Sequence, residues 1–281
     1  MRLLICIFCL VSSGLSWAED HFEVVHLDSV TSEPESVAIV DCTNPVSLAV
    51  SHKRQVVIVE LGVGRKQPEA FVVSPNGRHH LTSAQRVSWS PGASRIAVSR
   101  LHPEPGVWLM SAERRSEQLL DRAGRHAVWS SDGRAIAYAR EVDGSQAIVV
   151  HDLYEADYDV VWTKPDSKNS GVMPLAWDHV GKCLMLARPD SENGCRVFVH
   201  GHADSSAEPT ELSIPESALQ QLSGGWVDGI PVVLAAGPDS KGSLYAFINK
   251  KWRRQLELEK LSPVALTCRQ DGLYLLRPAE H

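Results

Sequence analysis

The stretch VSWSPGASRIAVSR (Val87–Arg100) returns as AVWSSDGRAIAYAR (Ala127–Arg140) and again as LAWDHVGKCLMLAR (Leu175–Arg188). Superposed on Trp89, Trp129 and Trp177, the copies lie 40 and 48 residues apart, and Trp226 of SGGWVDGIPVVLAA follows 49 further on. Leu48 in PVSLAVSHKRQVVIVE, 41 residues before Trp89, and Leu266 in PVALTCRQDGLYLLR, 40 after Trp226, hold the same place. Six units result, with the period of propeller blades rather than of helical repeats.

Each unit has the internal pattern of four antiparallel strands. A short apolar strand ends at the tryptophan. A turn follows, as in SSDG (130–133), where Asp-Gly supplies a positive-φ position. A β-rich segment such as AIAYAR comes next, then a third strand such as VWLMS (107–111), AIVVHDL (147–153), RVFVHG (196–201) or SLYAFIN (243–249). A more polar fourth strand ends the unit, as in SEQLL (116–120) and TELSI (210–214). The sixth unit runs out after two strands, and two unassigned candidates, FEVVHLD (22–28) and SVAIVD (36–41), stand at the other end of the chain. Pairing them would leave no open sheet edge at the junction. The expected fold is therefore all-β: a six-bladed propeller of four-stranded antiparallel blades, closed by the N-terminal strands joining the last blade. The segment 111–125 has good helix formers, but its only large apolar side chains are Leu119 and Leu120, so it is expected as turn plus outer strand. PESALQQL (215–222) is expected as one short helix.

Residues 1–18 stand apart. Arg2, the apolar run LLICIFCLV and the small residues around Ser16-Trp17-Ala18 read as a secretory signal peptide, too short for a span of about 20 residues. The expected division is a signal peptide at 1–18 and a single propeller domain at 19–281, with a periplasmic or secreted location and no membrane span. Removing residues 1–18 takes the formal net charge from -6 to -7. An acidic exported chain is a poor nucleic-acid binder, and KKWRR (250–254) reads as a solvated strand edge. Four cysteines remain after cleavage: Cys42, Cys183, Cys195 and Cys268. Cys183 and Cys195 flank the turn signal RPDSENG and are expected as a cross-strand disulfide, with Cys42 and Cys268 as the second pair; four buried thiols are the alternative.

The repeat residues themselves, WSPG and WSSDG followed by IAVSR and IAYAR, resemble the TolB-type, WD40-like six-bladed β-propeller repeat. The resemblance covers the mature chain and is best in the second and third units. The family's namesake carries a further N-terminal domain, for which this chain is expected to have no room. Propellers of this type occur in periplasmic binding proteins, in the gating domains of prolyl-oligopeptidase-like peptidases and in some lyases. With the propeller taking up the chain, no residues are expected to remain for an attached peptidase domain.

Catalytic signals are scarce. The sequence has no Gly-x-Ser-x-Gly elbow, His-Glu-x-x-His helix, EF-hand loop or phosphate loop, and GVGRK (62–66) reads as a hairpin connection. His79-His80 and His200-Gly-His202 are expected to be solvated, and His126 and His151 to be structural. Trp89, Trp129, Trp177 and Trp226 are expected as core between blades. Eleven residues beyond the aligned position stand Arg100, Arg140, Arg188 and Arg277, while the other two units have Val59 and Gly237. Guanidiniums emerging on one face would suit carboxylates or phosphates of a partner; the alternative is pairing with acids of the same or next blade. The expected function is a monomeric, non-enzymatic binding protein. It would recruit a protein or peptide partner in the cell envelope through the channel mouth or the arginine face, with no cofactor. The alternatives are a small-molecule lyase or hydrolase with a metal held in the channel, and a structural spacer.

Overall fold

A computed structural model describes residues 20–29, 32–62, 67–74, 77–113, 116–155, 157–163, 171–190, 194–201, 210–212, 221–236, 242–255, 264–269 and 271–279. The expected signal peptide and the expected short helix at 215–222, apart from its last two residues, lie outside them. Every element among the described residues is a strand. The chain opens with β1 (Asp20–Leu27) and β2 (Glu35–Cys42). The first repeat follows as β3 (Pro45–Val50), β4 (Val56–Glu60), β5 (Glu69–Ser74) and the beginning of β6 (Gly77–Trp89). The second uses the end of β6 with β7 (Arg95–His102), β8 (Gly106–Ser111) and β9 (Glu117–Asp121). The third is β10 (Arg125–Trp129), β11 (Ala135–Val142), β12 (Ser145–Asp152) and β13 (Asp157–Thr163). The fourth is β14 (Met173–Trp177), β15 (Cys183–Asp190), β16 (Gly194–Gly201) and β17 (Thr210–Leu212). The fifth is β18 (Gln221–Val227), β19 (Ile230–Ala236), β20 (Gly242–Ile248) and β21 (Lys251–Arg254). The last is β22 (Ala265–Arg269) and β23 (Gly272–Pro278).

All pairings are antiparallel, and four of the sheets have four strands. The first and second repeats share one seven-stranded sheet, because β6 runs through both without a turn. Its first half pairs with β5 as an outer strand, and its second half pairs with β7 as an inner one. Two register shifts, around Ser83 and Ala84, turn the strand between the roles. The sheet order β2-β1-β23-β22 joins the two ends of the chain: Phe22 lies opposite Pro278 and Leu27 opposite Leu273.

The repeated turn has a repeated cause. Ser90, Ser130 and Asp178, each just after the tryptophan, present a side-chain oxygen to the backbone N–H groups of Arg95, Ala135 and Cys183 at 2.9–3.0 Å. Ser51 does the same for Gln55 at 3.0 Å. Ala93, Gly133 and Gly181 take the left-handed position in the first three of these turns, at φ 50°, 76° and 71°. In SPGA the positive φ therefore falls on Ala93 and not on the preceding glycine. Hairpin register also corrects the alignment of the outer units. Trp89, Trp129 and Trp177 lie opposite Ile96, Ile136 and Leu184, and the matching positions are Val50, opposite Val56, and Cys268, opposite Leu273. These lie two residues beyond Leu48 and Leu266. Since strand faces alternate with period two, the shift preserves which face each residue occupies.

Packing runs from each repeat to the next. One apolar cluster joins Val57 and Val59 to Trp89 and Ile96, and another joins Ala97 and Leu109 to Trp129 and Tyr138. The series continues with Ile148 against Trp177 and Phe198, Met185 against Val233 and Tyr245, and Leu234 against Leu273. The sixth cluster brings Phe22, Tyr274 and Leu276 of the terminal sheet against Leu48, Val50 and Ile58 of the first repeat. Trp89, Trp129 and Trp177 are 6–8% exposed. Burying one indole removes roughly 200 Å² from water, about 5 kcal/mol gross.

The expected disulfides are not formed. Cys183 and Cys268 are free thiols. The β15–β16 hairpin places Cys183 opposite Gly201, while Cys195 faces Pro189. Six residues of strand separate the two rungs, on the order of 20 Å, far beyond disulfide reach. Cys42 is buried in the cluster that joins the terminal sheet to the first repeat.

Gly272, at φ 133°, sets the closest approach at the terminal sheet: a Cβ there would lie 2.3 Å from the Leu27 carbonyl oxygen and 2.8 Å from the His26 ring. Gly272→Ala is expected to lower stability by about 2–3 kcal/mol in urea denaturation. Gly77→Ala is expected to cost less, because its φ is also positive but nothing lies within 4 Å.

Candidate functional site

Residues from β3, β6, β10, β14, β18 and β22, the first strand of every repeat, line one cavity of about 500 Å³. Four of these strands carry a register shift shortly before the turn: between Pro45 and Ser47, Ala84 and Arg86, Arg125 and Val128, and Pro174 and Ala176. A bulge re-aims side chains and releases backbone groups from the ladder. Here it places Val46, Gln85, Arg86, His126 and Leu175 on the cavity wall.

Arg86 crosses between elements. Its Nη1 donates to the Pro174 carbonyl at 2.7 Å and its Nη2 to the Leu175 carbonyl at 2.5 Å, both at the β14 bulge. The guanidinium thus takes up acceptors that the irregular ladder releases. Enclosure pushes its pKa down to about 10, so it stays charged at neutral pH. His126, at φ 56°, lines the same wall. Burial, and then the charges of Arg86 and Arg125, push its pKa down to about 4, so the ring is neutral at pH 7. Arg269 is the other arginine of the wall; it donates to Asp271 at 3.0 Å and to the Val50 carbonyl at 3.2 Å.

The arginines at the repeated position are placed differently. Arg100 is 5% exposed, meets Glu117 at 2.6 Å and lies over the Trp108 ring. Arg140 meets Asp121 of the preceding repeat at 3.0 Å and lies over Tyr158. Arg277 grips Glu23 at 2.7 Å, and the Ser36 hydroxyl with Arg277 holds that carboxyl below its ordinary range. Arg188 lies over Phe198. The pattern extends to the first repeat, where Arg78 pairs with Glu60 and lies over Phe71. Acids of β9 and β1 therefore take up the charge of Arg100, Arg140 and Arg277, and the four guanidiniums do not form an open cationic face.

The other expected residues divide likewise. Trp89, Trp129 and Trp177 combine core packing with an edge on the cavity, whereas Trp226 packs half-buried beside Tyr245. His80 is exposed and meets Glu69 at 2.5 Å. His200 is 1% exposed rather than solvated, and His202 lies outside the described residues. Burial lowers the pKa of His151. Among the described residues no three His, Cys, Asp or Glu side chains converge as a metal-ligand group. Among them, too, no helix is long and apolar enough to cross a membrane.

No protein-family model matches the chain, and no curated protein matches it in sequence. Solved structures do. The chain is similar to a protein assigned as TolB from Agrobacterium tumefaciens, with TM-score 0.67 and 12% identity over 94% of this chain and 100% of that one. TolB from Acinetobacter baumannii gives 0.58 and 15% over 93% of this chain, which spans 64% of that chain's length. The acylaminoacyl peptidase of Pyrococcus horikoshii gives 0.52 and 14%, over 83% of this chain and 42% of that one. The fold is a β-propeller of the TolB-like kind.

Two outcomes follow from the electrostatics. Arg100→Gln is expected to cost about 2 kcal/mol of stability, since it leaves Glu117 without its buried partner. Arg188→Gln is expected to cost under about 1 kcal/mol, in the same denaturation experiment. An unfolded chain binds a proton at His126 near pH 6.5, and the folded one only near pH 4. The unfolded state holds more protons within that window, so stability falls as pH drops through it. His126→Gln is expected to flatten this part of the curve of Tm against pH.

Proposed function

We propose that the six repeats form one closed six-bladed propeller, with β1 and β2 completing the last blade, and that the protein is an exported, non-enzymatic binding module. Its channel receives a segment of a protein partner in the cell envelope. The cavity lined by the first strand of all six repeats carries this reading. A wall made from six separate strands recognises a ligand by convergence, and its volume falls within the range of specific pockets. The apolar run of residues 1–18 supports export, and the fold shared with TolB structures supports a binding role.

Affinity capture from an envelope extract of the source organism tests the reading, with the native protein beside a Thr267→Trp variant. Thr267 is half-buried on the cavity wall, so an indole there obstructs the channel without removing a core contact. The expected result is one partner, identified by mass spectrometry, that binds the native protein when purified and binds the folded variant at least tenfold more weakly. Equal capture by both proteins would place binding elsewhere on the surface. Capture by neither, with a stoichiometric metal in the purified protein, would favour a channel enzyme.

A further inference from the structure

The charge of the cavity wall is one-sided. In a protein of net charge -6, the described residues of the wall include the cations Arg86 and Arg269, the second paired with Asp271, and neither Asp nor Glu; its histidines are His52 and the neutral His126. Arg86 is held differently from most of the other arginines. Arg78, Arg100, Arg140, Arg269 and Arg277 each meet a carboxylate, whereas among the described residues the hydrogen-bond partners of Arg86 are two carbonyl oxygens. Carbonyl dipoles hold a guanidinium in place but leave its net charge uncompensated. In an enclosed wall that charge acts at reduced dielectric, where it is felt more strongly than on an open surface.

We propose that the channel selects an acidic peptide segment, with a carboxylate of the ligand supplying the counter-charge that Arg86 lacks among the described residues. This rests on the channel-binding reading above and adds the chemical class of the ligand. The size of the cavity argues for a peptide over a lone anion. Around Arg86 the wall offers apolar side chains such as Val50 and Val87, and hydroxyls such as Ser88 and Thr267, over a volume of about 500 Å³. One carboxylate would leave most of that surface unused. Arg86 already spends two donors on Pro174 and Leu175, so its guanidinium is fixed before the ligand arrives. That pre-organisation reduces the ordering cost of binding.

The test titrates the purified protein with three capped tetrapeptides, Asp-Glu-Asp-Glu, Asn-Gln-Asn-Gln and Lys-Arg-Lys-Arg, and separately with citrate and inorganic phosphate. Binding is read by calorimetry and by the fluorescence of Trp89, Trp129 and Trp177, which border the cavity. The acidic peptide is expected to bind at least tenfold more tightly than the neutral one, to weaken with added salt, and to outbind citrate and phosphate. Arg86→Gln is expected to lose this binding at least tenfold. Since Arg86 also braces β6 against β14, a second pair of variants decides the matter if that one does not fold. Thr267→Glu, which places a like charge on the wall, is expected to lose acidic-peptide binding, and Thr267→Gln to keep it. Equal binding of acidic and neutral peptides, no peptide binding, or a Thr267→Glu variant that binds as the native protein does would overturn the proposal. Citrate or phosphate binding as tightly as the acidic peptide would assign a small-anion site instead. A partner that is lost on Thr267→Trp, with no preference for acid, would leave the channel-binding reading standing and remove this one.

Discussion

Each sheet in this protein is apolar on both faces, and that constraint organises the rest. A sheet with one dry face can stop at water, but a sheet with two must be covered twice. The repeats cover each other in chain order, through Trp89, then Trp129, then Trp177, and the sixth cluster sets Phe22 and Tyr274 against Leu48 and Ile58. The ends of the chain meet in one sheet, so the terminal strands protect each other's edges as well as their faces.

Packing of that kind leaves the first strands facing one another around a cavity, and their irregularities give it chemistry. The register shift between Pro174 and Ala176 releases acceptors, and Arg86 is anchored by the carbonyls on either side of it. The second strands work differently. Their arginines lie over aromatic rings, and Arg100 and Arg140 both meet acids of β9, the outer strand of the second repeat. Arginine thus meets carboxylates on the second strands and, at Arg86, carbonyl oxygens of a neighbouring first strand.

Much of the fold was legible in the sequence because its determinants are local and repeated. The serine after the tryptophan, the turn residues and the apolar third strands occur at fixed offsets, and each has a short-range job that the hydrogen bonds of Ser90 and Ser130 show. The pairing of the N-terminal strands with β23 could also be anticipated by counting strands. The failures have a common origin in register. Leu48 and Leu266 were two residues out because their hairpins turn more tightly. Cys183 and Cys195 flank a turn signal, yet each begins its strand, so antiparallel pairing sends them to opposite ends of the hairpin. Arg86 has no counterpart in the other repeats; its trace in the sequence is a basic residue three places before Trp89, matched only by His126 before Trp129. The repeated arginines were conspicuous for the opposite reason, and their partners Glu117, Asp121 and Glu23 come from other strands, where spacing along the chain says nothing about proximity.

The most direct measurement of the account is native-state amide hydrogen exchange across β1 and β23. If the N-terminal strands complete the last sheet of a closed ring, the amides of Glu23–Leu27 exchange with the same opening free energy as those of Leu273–Leu276, close to that of global unfolding. Fast exchange throughout β1, with β23 still protected, would contradict it and leave an open array of repeats.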